Sequence, residues 1–253
     1  MKSPKIAENN WKTIKGQEVG LVVLPWGATE AHNYHLPYAT DNYQVEAISE
    51  EAAKLANEKG AQVAVLPTIP FGVNTGQSDI RLTINLYPST QQKILHDVAE
   101  SLNRQGIYKL LVMNGHGGND FKQMIREVNS KFPKMLICSS SWFKHPGRDR
   151  FFTLKGDHAD ETETSLMLYL KPELVLPLNE AGDGKSKSFK VTALNEGWAW
   201  AERQWTKVSA DTGIGDPKMA TKEKGKAFFE YLVEQYSDFM LQLSNVDLKD
   251  LYE

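Results

Sequence analysis

The 253-residue chain has one cysteine, no marked excess of either charge, and no apolar run long enough to span a bilayer. Each scarcity excludes something. Cys138 has no partner within the chain, so an internal disulfide is impossible and a reducing, cytoplasmic setting is expected. Lys and Arg number 29 against 32 Asp and Glu, a formal charge of -3, which removes the electrostatic basis for nucleic-acid binding. A membrane span needs roughly 20 apolar residues in succession. None occurs, and the polar stretch from Met1 to Trp11 lacks a signal-peptide core. Histidine is scarce as well: there are six, and their positions are uneven.

What is present is alternation. Val19 to Leu24, Ala61 to Leu66, Tyr108 to Met113 and Met135 to Ser139 are short apolar, strand-like runs, the first expected to end at Pro25. Between and after them the spacing predicts helices over Asn42 to Lys59, Pro88 to Gln105, Asp120 to Lys131, Glu161 to Leu170 and Met219 to Leu243. Gly60 and Gly106 stand where helices close, and Pro88 where one opens. Such alternation predicts an α/β fold, a mostly parallel sheet with helices on both faces. From Pro172 to Gly215 the pattern weakens, and Gly182 to Lys190 reads as a turn or exposed loop. With no repeat and no long linker, one domain over residues 1–253 is expected.

In open parallel sheets, ligands bind beyond the carboxyl ends of the strands. The loop after the first strand holds Glu30, His32, His35 and Asp41; the loop after the third holds Asn114-Gly-His-Gly-Gly-Asn119; a later stretch holds Asp157, His158 and Glu163. Four of the six histidines, His32, His35, His116 and His158, fall in these three stretches beside carboxylates. Imidazole with carboxylate and without thiolate is a ligand set for zinc, manganese or iron(II). Glu30 and His32 are two apart, so extended backbone puts them on one face. Asp41 has two oxygens with which to bridge two ions. On a 161–170 helix, Glu163 shares a stripe with Leu166, Met167 and Leu170. A carboxylate there needs a partner or a metal, whereas Glu161 is expected to be solvated.

Plainer readings exist for each piece. The glycines of residues 114–119 could serve a tight turn or a phosphate cradle, yet the stretch fits neither the dinucleotide fingerprint nor the P-loop. Asp157-His158 could be a surface pair, and Glu163 could meet a buried arginine. His96 and His145 read as structural or solvated, and Trp198, Trp200 and Trp205 as core or subunit contacts before a substrate wall.

Three motifs in order resemble the creatininase family. They are Pro25, Gly27, Glu30, His32, His35-Leu36-Pro37 and Asp41; then Asn114 to Asn119; then Asp157, His158, Ala159, Glu163, Thr164 and Ser165. The resemblance runs from about Leu24 to Gly225. It implies a three-layer α/β/α fold, a homohexamer, and two divalent ions, zinc first and manganese or iron(II) next, bridged by an aspartate and a water. By position, Glu30, Asp41 and His116 hold one ion and His32 and Asp41 the other. Creatininase has a further glutamate where this chain has Gly118, and Glu163 is the natural replacement. Asp157 and His158 match the acid–imidazole pair that serves the leaving group.

The surroundings depart from the family. A common Gly-His-x-x-Phe-Pro-Gly-Thr stretch is here Gly76-Gln77-Ser78-Asp79-Ile80-Arg81-Leu82-Thr83, Asn33-Tyr34 replaces Gly-Pro, and Asp160 replaces a glycine. Gln77, Ser78, Trp198 and Trp200 are the candidate substrate contacts. The implied activity is hydrolysis of a small polar cyclic amide other than creatinine, by a bridging hydroxide attacking its carbonyl. Hydrolysis of a C–C bond in a cyclic ketone or keto-inositol, isomerisation through a polarised carbonyl, and a non-catalytic metal-organised scaffold are the alternatives.

Overall fold

Parallel strands that are apolar at nearly every position must be covered on both sides. The computed structural model, which describes residues 3–252, shows how the chain does this. In order come α1 (Trp11–Ile14), β1 (Leu21–Trp26), α2 (Thr40–Glu58), β2 (Val63–Val65), α3 (Pro88–Arg104), β3 (Lys109–Asn114), α4 (Lys122–Lys131), β4 (Leu136–Ser141), α5 (Glu161–Leu170), α6 (Thr192–Asn195), α7 (Trp205–Val208) and α8 (Lys222–Asn245). The four strands lie in the order β2-β1-β3-β4. All pairings are parallel, with Leu21 opposite Val63, Trp26 opposite Asn114 and Lys109 opposite Leu136.

Alternate residues of each strand feed different layers. Leu21, Val23, Leu111 and Met113 pack with Val45 and Ile48 of α2, Leu166 of α5, and Phe228 and Leu232 of α8. Val22, Leu24, Trp26, Leu110 and Val112 pack with Leu95 and Ala99 of α3 and Met124 and Val128 of α4. The result is a three-layer α/β/α fold. Burying each large apolar side chain contributes roughly 1.5–3 kcal/mol, so the two layers anchor the sheet from both faces.

Several boundaries shift by one to three residues from expectation, and three of the shifts have a clear local cause. β1 does not stop at Pro25. The Pro25 carbonyl accepts from Ile69 N at 3.0 Å on the side where β2 has already ended, so the missing proline N–H costs no ladder bond. α2 opens at Thr40 rather than Asn42, which places Asp41 in its first turn. α8 opens at Lys222, because Thr221 caps it by accepting from Lys224 N at 3.2 Å. Residues 172–215 add no strand to the sheet and form short helical turns. Gly60 ends α2 at a φ of 96°, which a side chain rarely adopts. Among the described residues no helix is long and apolar enough to cross a membrane.

Candidate metal centre

The strand order fixes where a site can form. From β1 the chain crosses to β2 on one side, then returns to place β3 on the other. The loops leaving β1 and β3 therefore diverge, opening a crevice at the carboxyl ends of these two strands. Glu30, His32 and Asp41 enter it from the β1 side and His116 from the β3 side, while His158 and Glu163 come from the segment that opens α5.

Asp41 is the centre of the arrangement. Its Oδ1 lies 3.0 Å from His32 Nε2, and its Oδ2 lies 3.0 Å from His116 Nδ1. Glu30 Oε1 is 2.8 Å from the same His116 nitrogen and 3.8 Å from His158 Nδ1. Glu163 Oε1 is 3.9 Å from His32 Nε2. Glu30, His32, Asp41, His116 and His158 are buried, and Glu163 is 13% exposed.

Backbone carbonyls set the other ring nitrogen of each imidazole. His32 Nδ1 meets Glu30 O at 3.1 Å, His116 Nε2 meets Val73 O at 2.9 Å, and His158 Nε2 meets Ala31 O at 2.8 Å. A carbonyl only accepts, so each of these nitrogens carries the proton. That leaves a lone pair on the nitrogen facing the carboxylates, and two acceptors about 3 Å apart need a cation between them. A proton can fill the gap: burial opposes it, but Asp41, Glu163 and Glu30 outweigh burial and raise His32 to about 10. His116 is raised in the same way, against burial, by Glu30 and Asp41. Burial also works against Asp41, yet His32 and His116 hold its carboxyl well below the usual range. A divalent ion meets the same demand with more charge, and imidazoles tied to carbonyls are the usual form of metal-ligating histidine. The triplets Glu30–Asp41–His116, His32–Asp41–Glu163 and Glu30–His32–His158 each bring one ligand atom per residue within 4.8 Å of the others. The donor set and its geometry fit divalent metal.

Hydrogen bonds around the loops explain why they fold this way. Asn114 Oδ1 accepts from His116 N and Asn119 Nδ2, and Asn119 Oδ1 accepts from Val73 N, so the asparagines bracketing the motif place the carbonyl that holds His116. Gly118 has no room for a side chain: a Cβ there would lie 2.2 Å from Val73 O and 2.5 Å from His116 Nε2. Asp160 caps α5 by accepting from Thr162 N and Glu163 N. Ala159 N donates to Glu163 Oε2 at 2.5 Å. Burial pushes the Glu163 carboxyl up to about 8, with Asp41 and Asp160 adding to it and His32 opposing.

Other sequence-predicted residues occupy varied places. Gln77 is buried and its amide donates to Glu30 Oε2. Ser78 is exposed. Trp198 and Trp200 lie on the outer surface, 76% and 86% exposed. Asp157 is exposed and pairs at 2.6 Å with Arg203, while the ring of His158 is held by Ala31 O. Burial, then His32, lowers the pKa of His158, which keeps it neutral. Glu161, expected in solvent, is 1% exposed and paired with Lys224 Nζ, because the first turn of α8 packs over the start of α5. His35 faces Thr164 Oγ1 at 2.8 Å, and burial lowers it to about 4, which leaves it a neutral structural group. The aromatic ring against the centre is Trp205, edge-on to His158 at 4.7 Å, and Arg203 lies over Trp205 at 5.0 Å. Local sequence gave no sign of which tryptophan turns inward.

The profile of the family described as Creatininase: creatinine amidohydrolase matches residues 7–240. The chain belongs to the creatininase family. A crystal structure of a candidate creatinine amidohydrolase from Bacteroides fragilis is 42% identical and superposes with a TM-score of 0.92, covering 100% of both chains. The mycofactocin precursor peptide peptidase of Mycobacterium ulcerans is 26% identical over 225 residues, 84% of this chain and 81% of that one. Solved creatininases of a Zn–Zn type and with Mn share the fold, with TM-scores of 0.83 and 0.79 at 22% and 23% identity, covering 97% and 96% of this chain and 100% of each of theirs.

Proposed function

We propose that this creatininase-family hydrolase cleaves the amide C–N bond of a small polar, cyclic substrate other than creatinine, using two divalent ions. The observation that carries the reading is Asp41, whose two oxygens each face a different imidazole with its tautomer already set by a backbone carbonyl. Glu30, Asp41 and His116 would hold one ion, and His32, Asp41 and Glu163 the other. Zinc and manganese both suit these nitrogen and oxygen donors. When bound, such a pair supplies Lewis acidity and a water acidic enough to ionise near neutral pH.

The chain's own residues do the rest. His158 is neutral, its Nε2 proton is committed to Ala31 O, and its Nδ1 lone pair faces the carboxylate cluster. It can therefore accept a proton inside the crevice and pass it to the leaving nitrogen. Trp205 fixes the tilt of the imidazole, and Gln77 occupies Glu30 Oε2 so that Oε1 stays turned to the centre. Amide cleavage is supported by the named activities of the family profile and of the peptide peptidase relative, since both break C–N bonds. A substrate other than creatinine is supported by Gln77 and Leu82, which depart from the histidine and glycine that the family resemblance implies there.

Elemental analysis tests the centre directly. The wild type is expected to hold two ions per chain, and Glu163→Gln and His116→Ala are each expected to lose at least one. Both variants retaining two ions would sink the ligand assignment. Turnover of a cyclic-amide panel, read as released amine, tests the bond that is cut.

A further inference from the structure

Arg203 is a cation at the mouth of the centre with donors to spare. Its Nη2 pairs with Asp157 Oδ2 at 2.6 Å, and its side chain remains 39% exposed. The guanidinium lies 5.0 Å from the centroid of Trp205, whose ring is 4.7 Å from His158, whose ring is 4.1 Å from His32. These four groups form a continuous stack from the candidate metal ligands to the rim. The segment carrying Arg203 is pinned on two further sides, by Thr75 to Glu202 and by Thr206 to Asp79 Oδ2 at 2.5 Å. Gly76 permits the close approach, because a Cβ there would lie 2.2 Å from the carbonyl oxygen of Arg203. Arg203 is thus fixed in position and still open to solvent.

Charge points to what Arg203 reads. Two dications would balance Glu30, Asp41 and Glu163 together with an ionised water, so the loaded centre would not repel an anionic molecule, and the guanidinium at its rim is the charge that attracts one. A guanidinium presents five N–H groups in a planar fork suited to carboxylate. Asp157 already occupies part of that fork, and an exposed partner of this kind can be displaced.

We infer that the substrate carries a carboxylate, that Arg203 binds it at the rim while the scissile amide reaches the metal centre, and that Asp157 is the resting partner it displaces. This rests on the metal-hydrolase reading and names the substrate class of the same site.

The test uses metal-directed ligands and needs no substrate. Affinities of the zinc- or manganese-loaded protein are measured for acetohydroxamate and for monohydroxamates of succinic, glutaric and adipic acid. At one or more chain lengths the carboxylate is expected to tighten binding on the order of tenfold. Arg203→Ala should abolish that advantage and leave acetohydroxamate unchanged, with Arg203→Lys keeping part of it. Asp157→Asn should enlarge the advantage by removing the competitor. If Arg203 served only to pin the loop, breaking the pair from either side would have the same effect. Equal changes in the two variants, or no advantage at any length, would overturn the inference while leaving the metal centre intact. Failure of acetohydroxamate itself to bind would overturn the metal reading and this inference with it.

Discussion

Asp41 shows how one side chain can gather a centre. It sits in the first turn of α2, where the helix N-terminus favours negative charge, and it touches imidazoles delivered by two different strands. Residues around it carry conformational cost. Asn33 and Leu82 adopt φ values of 53° and 64°, in the left-handed region that favours glycine. Asn33 offsets the cost: its Oδ1 accepts from Gly182 N at 2.8 Å, and asparagine tolerates this region. Leu82 has no such compensation and is 72% exposed, so it loses nothing by truncation. The left-handed conformation costs about 1–2 kcal/mol for an ordinary residue, and the greater freedom of unfolded glycine returns roughly 0.5–1 kcal/mol of that. Leu82→Gly is therefore expected to raise stability by up to about 1 kcal/mol, read as a higher urea midpoint with unchanged slope. A lowered midpoint would show that the leucine is held by a contact. Side-chain placement of this kind was only partly legible. Glu163 facing inward followed from helical spacing, because that argument needs one element alone. The burial of Glu161 depends on where α8 comes to rest, and no local pattern encodes it.

Elements were more legible than their neighbours' choices. The four strands and five longer helices could be read because period, proline and glycine agree in each, and their ends moved by only a few residues. The short turns between 172 and 215 could not, since they draw their stability from docking against the site loops rather than from any repeat. The joint between α5 and α8 shows what such docking is worth. Glu161 Oε1 meets Lys224 Nζ at 2.5 Å, and the carboxylate is 1% exposed while the lysine side chain is 32% exposed. Lys224→Met would leave a buried charge alone, an arrangement that costs about 3 kcal/mol. Glu161→Gln combined with Lys224→Met removes both charges and is expected to recover most of that loss. Chemical denaturation of the three proteins reads the difference. Equal destabilisation in the single and double variants would mean that the α5–α8 joint rests on packing alone.

At the scale of the whole molecule, the centre couples folding to protons and to metal. In the metal-free protein the carboxylates hold His32 at about 10 and His116 well above 6.5, in each case against the pull of burial. Both imidazoles are therefore protonated at pH 7, and an incoming ion must displace those protons. The sign follows. A raised folded-state pKa contributes stability that is fully present below the unfolded value near 6.5 and is lost as pH climbs through about 10. Metal affinity moves the opposite way, rising about tenfold per pH unit for each proton displaced. Because ligand binding stabilises the folded state in proportion to the logarithm of its affinity, the gap in Tm between metal-loaded and chelator-treated protein should widen from pH 6 to pH 9. Calorimetric titration of metal into the chelated protein, repeated in buffers of different ionisation enthalpy, should show protons released at neutral pH. A gap that is flat with pH, together with no proton release, would mean that the carboxylates and imidazoles hold one another as ion pairs and that metal binds elsewhere. The backbone carbonyls of Glu30 and Val73 argue against that outcome, since each holds a proton on the far ring nitrogen and so leaves the nitrogen facing Asp41 as the one an ion can take once its proton is displaced.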